Sequence, residues 1–227
     1  KRAGVGVRAE AVVRAADYIM STRSTEGRGA PGGAYFWEKN APETDWALSG
    51  DLFGTVSAAL ASLDKKPSKE LKGVSRKLQE YLAKRPEEAS AVAHITAGLV
   101  VFARWQKDKK LKATLEKAVG YLLTLKRQGY WEPHWYHAYG GMVELNATIL
   151  DMIHALNPSA HQSVQRELVT YLLSTREAWG AWHNEMGTVT AIKALLKAGA
   201  GTKREVPSTV TVQVNGKTIA TVKVDPA

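Results

Sequence analysis

Residues 171–196 read YLLSTREAWGAWHNEMGTVTAIKALL: an apolar run, a break rich in tryptophan and glycine, then a second apolar run. The opening of the stretch, YLLSTR at 171–176, recurs as YIMSTR at 18–23, YLAKR at 81–85 and YLLTLK at 121–126. Each copy holds a tyrosine, apolar followers and a basic finish. An apolar residue or alanine stands three before each tyrosine (Ala15, Leu78, Ala118, Leu168) and another one after it (Ile19, Leu82, Leu122, Leu172). That spacing paints one side of a helix and sets the cations at its C-terminal end, where the macrodipole favours them.

Each copy is followed by a second run: DLFGTVSAALASL at 51–63, SAVAHITAGLVVFARW at 90–105, ELNATILDMIHAL at 144–156 and MGTVTAIKALLKA at 186–198. These runs hold little charge and many alanines, and apolar side chains occupy more than half of their circumference. Helices of that kind are buried on most sides. The tyrosine-bearing helices are the more amphipathic, so outer and inner helices alternate in pairs spaced by roughly 40 to 60 residues. The expected fold is mainly α: an α/α toroid, or an arc of about four helix pairs.

The links distinguish the two rims of such an arc. Within pairs they are glycine- and aromatic-rich, as in STEGRGAPGGAYFWEKNAPETDW at 24–46, RQGYWEPHWYHAYGG at 127–141 and EAWGAWHNE at 177–185. Between pairs they are polar and often basic: DKKPSKELKG at 64–73, QKDKKLK at 106–112 and NPSAHQS at 157–163. The second pair is the exception, with only PEEA after Arg85. Trp37, Trp46, Trp131, Trp135, Trp179 and Trp182, six of the seven tryptophans, fall in or beside the aromatic rim. From Pro207 the pattern changes to PSTVTVQVNGKTIATVKV, where β-branched and polar residues alternate around Asn215-Gly216, a strong hairpin signal. The expected division is a helical domain at 1–204, incomplete as given, and a β-hairpin at 205–227 that begins or survives from a following β-domain.

Composition sets the outer limits. A chain of 227 residues with 44% hydrophobic content can bury a sizeable core. No apolar run approaches a membrane span, and the first residues, KRAGVGVRAEAVVRAADYIM, lack a signal-peptide core and an initiating methionine, so a fragment of a longer protein is expected. The absence of cysteine excludes disulfides, thiol nucleophiles and thiolate ligands. The net charge of +9 gathers partly in Lys65, Lys66, Lys69 and Lys72 and in Lys107, Lys109, Lys110 and Lys112. With few arginines and no interleaved aromatics, these loops read as solvated faces, and no dedicated nucleic-acid site is expected.

The succession YLLSTR, WGAW at 179–182, TVTAIKAL at 188–195, a short linker and VTVQVNGK at 210–217 resembles the end of the thioester-type helical domain of alpha-2-macroglobulin-like proteins, running into the β-domain that follows it. GAYFW at 33–37 and GYW at 129–131 are similar to the glycine-tryptophan loops of that domain and, more distantly, to those of terpenoid cyclases and prenyltransferases. The resemblance implies an endopeptidase-inhibitor context, periplasmic or extracellular. Its partners would be proteases, reached through the intact parent, and other β-sandwich domains of the same chain. It also implies a Cys-Gly-Glu-Gln-type thioester motif, which this sequence lacks. The expected role is therefore non-catalytic, with no catalytic residue, metal or cofactor in this chain.

Enzymatic readings stay open beside it. Glu132, His134 and His137 in WEPHWYHAYGG have donor types suited to zinc, with Glu144 or His183 nearby, though helix capping or stacking on the rim fits them better. His94 and His154 sit on largely apolar helices and read as packed or hydrogen-bonded positions. Glu43 and Asp45 could pair as acid and base in a toroidal glycoside hydrolase or lyase, or could complement a helix N-terminus together with Asp51. Trp37, Trp131, Trp135 and Trp182, with Glu132, His134 and His137, form the candidate aromatic-rim surface, to which sugar rings could bind. The competing reading is that each glycine reverses the chain and each tryptophan seals a helix pair.

Overall fold

The computed structural model describes residues 9–21, 46–127, 130–132, 141–178, 180–182, 184–200, 208–214 and 217–224. Among them lie eight helices, α1 (Ala9–Ser21), α2 (Trp46–Ala61), α3 (Lys69–Ala83), α4 (Ala89–Gln106), α5 (Lys109–Thr124), α6 (Gly141–Leu156), α7 (Gln162–Ser174) and α8 (Glu185–Ala200). Two strands follow, β1 (Ser208–Val214) and β2 (Lys217–Val224). The protein is mainly helical. The tyrosine-bearing elements are α1, α3, α5 and α7, and the charge-poor runs are α2, α4, α6 and α8.

Local chemistry sets several boundaries. Ser68 accepts from the Leu71 amide at 3.1 Å to open α3, and Asp108 accepts from the Leu111 amide at 2.9 Å to open α5. Each satisfies one of the amides that a helix start leaves without a partner. The repeat's cations lie just past the helix ends rather than in the last turn: Lys84 is the residue after α3, and Lys126 and Arg176 stand two beyond α5 and α7.

Packing follows the alternation. The even-numbered helices contact one another in succession, α2 on α4, α4 on α6 and α6 on α8, while α1 lies on α2, α3 bridges α2 and α4, and α5 and α7 lie mainly on the helices before them, α4 and α6, with lighter contact to α6 and α8. The core fills the space between the two sets, with Phe53, Leu78, Ile95, Leu99, Leu115, Leu122, Ile149 and Leu150 fully buried. Residues 90–96 of α4 are all buried, so this helix has almost no solvent face.

The tightest approach is between α2 and α4. A Cβ added at Gly98 would lie 2.3 Å from the Gly50 carbonyl oxygen, one at Gly50 would lie 2.4 Å from the Ile95 amide nitrogen, and one at Gly54 would lie 2.9 Å from the Gly98 Cα. The two backbones touch, and three glycines make that possible. Beside this seam the His94 Nδ1 and an Asp51 oxygen are 3.0 Å apart, with the ring nitrogen donating to the carboxylate. Asp51 therefore does not complement a helix N-terminus. Because α2 begins at Trp46, Asp51 sits well inside the helix and ties it to α4.

Tyr81 shows how the repeat tyrosine is used in the second pair. Its ring stacks on Trp46, with centroids 3.9 Å apart and planes at 19°. Burial, and secondarily the Glu88 carboxylate, push its phenol well above the ordinary tyrosine range. The folded chain thus holds this proton to higher pH than the unfolded chain does, so the stability tied to it is complete below the unfolded value of about 10 and declines as pH rises beyond that. Tyr81→Phe is expected to lose less stability than the parent between about pH 8 and about pH 11, as read by urea unfolding at both values. Equal losses in the two proteins would contradict this assignment.

β1 and β2 pair antiparallel from Ser208↔Val224 to Val214↔Lys217, with an irregularity between Val212 and Gln213. The turn residues Asn215 and Gly216, and the expected domain boundary at 204/205, lie outside the described residues.

Candidate functional site

The aromatic corners are built twice by the same means. At the end of α5, Arg127 and Tyr130 exchange backbone hydrogen bonds of 2.8 and 2.9 Å, which turns the chain back so that Trp131 enters the core. The Trp131 indole nitrogen donates to the Leu122 carbonyl at 2.8 Å, engaging one of the last-turn carbonyls of α5. Its backbone is held from α6: the Trp131 amide donates to Asn146 Oδ1 at 3.3 Å, and Asn146 Nδ2 donates to the Trp131 carbonyl at 3.0 Å and to the Met142 carbonyl at 2.7 Å. Lys126 Nζ lies 5.6 Å from the centre of the Trp131 ring.

After α7 the pattern repeats. The Glu177 amide donates to the Ala181 carbonyl and the Gly180 amide to the Glu177 carbonyl, both at 2.9 Å, and Gly180 has φ +94°, a value that glycine adopts without strain. The Trp182 indole donates to the Leu172 carbonyl at 2.8 Å. Thr188 of α8 accepts from the Trp182 amide at 3.0 Å and donates to the Trp182 carbonyl at 2.8 Å. Leu122 and Leu172 hold the same repeat position, one after the tyrosine, and Thr188 takes the role of Asn146.

Trp131 has no solvent exposure and Trp182 has 3%. A buried ring offers no face to a sugar, so these two members of the expected rim surface are packing groups. Glu132 is exposed. Trp37, Trp135, His134 and His137 lie outside the described residues, as do Glu43, Asp45, Trp179 and His183. Neither the zinc set nor the acid-base pair is therefore assembled from described side chains. Among the described residues no group of three or more histidine, aspartate and glutamate side chains is placed to hold a metal ion.

His154 Nδ1 lies 3.4 Å from Gln165 Oε1, a hydrogen-bonded helix position, and Gln165 in turn donates to the Pro158 and Ala160 carbonyls. The eight lysines of the expected basic links are all exposed, but only Lys65, Lys66 and Lys107 lie between helices, since Lys69 and Lys72 are in α3 and Lys109, Lys110 and Lys112 are in α5. No described helix is long and apolar enough to cross a membrane.

Two features escape the sequence reading. Asn146 and Thr188 are polar residues within the first two turns of α6 and α8, Asn146 buried and Thr188 half-buried, and both hold the tryptophan backbone. The other is a groove of about 450 Å³ along α7, lined by Tyr130 and by residues of α7 that include Arg166, Glu167 and Tyr171. Neither a protein-family model nor a curated protein matches the chain.

Proposed function

We propose that the chain is a non-catalytic helical domain of an alpha-2-macroglobulin-like protein, an arc of an α/α toroid that helps to cage a protease or to present the parent's reactive part. The observation that carries this reading is the recurrence of one corner, Leu122–Trp131–Asn146 and Leu172–Trp182–Thr188, within two successive helix pairs, α5–α6 and α7–α8. A reaction site has no need to recur, whereas a curved stack of like units must repeat its corner. The succession of contacts from α2 to α8 supports the arc. So does α8, which leaves Met186, Val189, Ile192 and Leu196 exposed along one stripe, the face on which a layer of this kind would continue.

In this reading the tryptophans hold the curvature of the arc, and the β1–β2 unit leads toward a β-domain of the same parent, in the periplasm or outside the cell. The chain contains no cysteine and supplies no thioester of its own. Mixing the intact parent with an endopeptidase tests the role. A caged protease keeps cleaving a small chromogenic peptide while losing activity on a large protein substrate. Unchanged cleavage of the large substrate would contradict the proposal.

A further inference from the structure

The groove along α7 is open, with Ser163, Arg166, Glu167 and Thr170 all exposed to solvent. Its volume of about 450 Å³ falls in the range of small-molecule pockets, roughly 300–1,000 Å³. Ser163, Arg166, Glu167 and Thr170 stand on one face of α7 at helical spacing and form one wall with Tyr171. Tyr130 reaches in from the turn after α5, its ring 4.3 Å from that of Tyr171 and tilted by 42°.

Three observations point to a polar ligand with a flat face. Tyr130 is 38% exposed and presents an aromatic ring to the groove. Tyr171 is only 8% exposed, yet its hydroxyl makes no hydrogen bond to protein among the described residues. That hydroxyl is not among the fully buried polar atoms that lack a partner, so it meets solvent in the groove and can donate to whatever enters. Burial, then the neighbouring Tyr130, raise its pKa, which keeps the hydroxyl protonated. The Arg166 guanidinium has no ion pair among the described residues, whereas Glu167 is held by Lys126, which also lies over Trp131. Among the described residues the groove therefore carries one positive charge without an ion-pair partner, in a fork suited to a carboxylate.

We propose that this groove binds a short acidic saccharide, with one sugar ring on Tyr130, ring hydroxyls on Tyr171, Ser163 and Thr170, and a sugar carboxylate on Arg166. Hydroxyl-bearing walls that both donate and accept match a ring studded with hydroxyls. A nucleic acid would meet a single free arginine beside a carboxylate, too little charge for a backbone. The site does not depend on the macroglobulin-like reading and lies on residues apart from the expected rim.

Calorimetric titration of the full chain with tri-galacturonic acid tests it. Saturable binding with a Kd of about 1 mM or tighter is expected, weakened about ten-fold or more by Tyr130→Ala and by Arg166→Gln, with the melting temperature of both variants kept near that of the parent. Maltotriose, which lacks the carboxylate, is expected to bind about as weakly as tri-galacturonic acid binds to Arg166→Gln. No saturable binding of the acidic trisaccharide, or binding that survives both substitutions, would overturn the proposal. So would binding of a proline-rich peptide at Tyr130 in place of the saccharide, since tyrosine-lined grooves also take extended proline helices.

Discussion

Gly98→Ala is expected to lower stability by about 3–5 kcal/mol, while the same change at Gly120 raises it by about 0.5–1 kcal/mol. Both glycines are inside helices, so intrinsic propensity alone favours alanine at each. At Gly120 nothing lies within 4 Å of the added methyl, and propensity decides. At Gly98 the methyl would sit 2.3 Å from the Gly50 carbonyl oxygen and 3.2 Å from the Gly54 amide. Those atoms are backbone and cannot rotate away, so α2 and α4 must separate and every contact along the seam loosens. For a chain of this size the melting temperature would fall by roughly 6–20 °C in one variant and rise by roughly 1–4 °C in the other. Urea unfolding of the two variants beside the parent measures the contrast, and changes of the same sign would contradict the α2–α4 seam.

The second large effect belongs to the tryptophan corners. Trp131→Ala is expected to cost about 3–5 kcal/mol through the cavity alone, and it also removes the indole's bond to the Leu122 carbonyl. Asn146→Leu is expected to cost about 2–4 kcal/mol, because it strips the Trp131 amide and carbonyl and the Met142 carbonyl of one partner at once. The double variant should lose clearly less than the sum, since both residues secure the same stretch of backbone. Additive losses in a double-mutant cycle would mean that Asn146 and Trp131 act separately. Trp131→Phe, which keeps most of the ring, should cost about 1–2 kcal/mol and so isolates the indole hydrogen bond.

The helical organisation was legible because burial leaves a periodic trace. The run expected at 90–105 is α4 (Ala89–Gln106), and that expected at 144–156 is α6 (Gly141–Leu156). The shortfall at α2, expected from Asp51 and found from Trp46, has a simple cause. Ser49, Gly50 and Asp51 look like a helix start, whereas Gly50 serves close approach and Asp51 faces His94. Glycine in a helix reads as a weakness until its neighbour is known. Here Gly54 and Gly98 are the signal of a small-residue seam.

The candidate site was less legible. Tryptophan beside glycine is compatible with a binding platform and with a sealed corner, and composition does not separate them. What separates them is the indole nitrogen's partner, a backbone carbonyl in the last turn of the preceding helix, which no side-chain pattern encodes. Asn146 and Thr188 are the nearest thing to a written sign, each a polar residue near the start of a charge-poor helical run, though Thr148 and Thr190 share that description. The α7 groove was hidden for a different reason: its residues belong to an outer helix whose polar face reads as ordinary solvent surface, and only the fold brings Tyr130 against Tyr171.

Hydrogen exchange of the tryptophan indole protons, followed by nuclear magnetic resonance with Trp131→Phe and Trp182→Phe supplying the assignments, tests the repeated corner most directly. The packing described above predicts that the Trp131 and Trp182 indole protons exchange slowly, with protection close to that of the core helices, because opening either corner means lifting a buried ring off a helix end. Fast exchange at both, on the scale of an exposed indole, would show that the rings are presented to solvent, and it would return the tryptophans to the role of a binding rim.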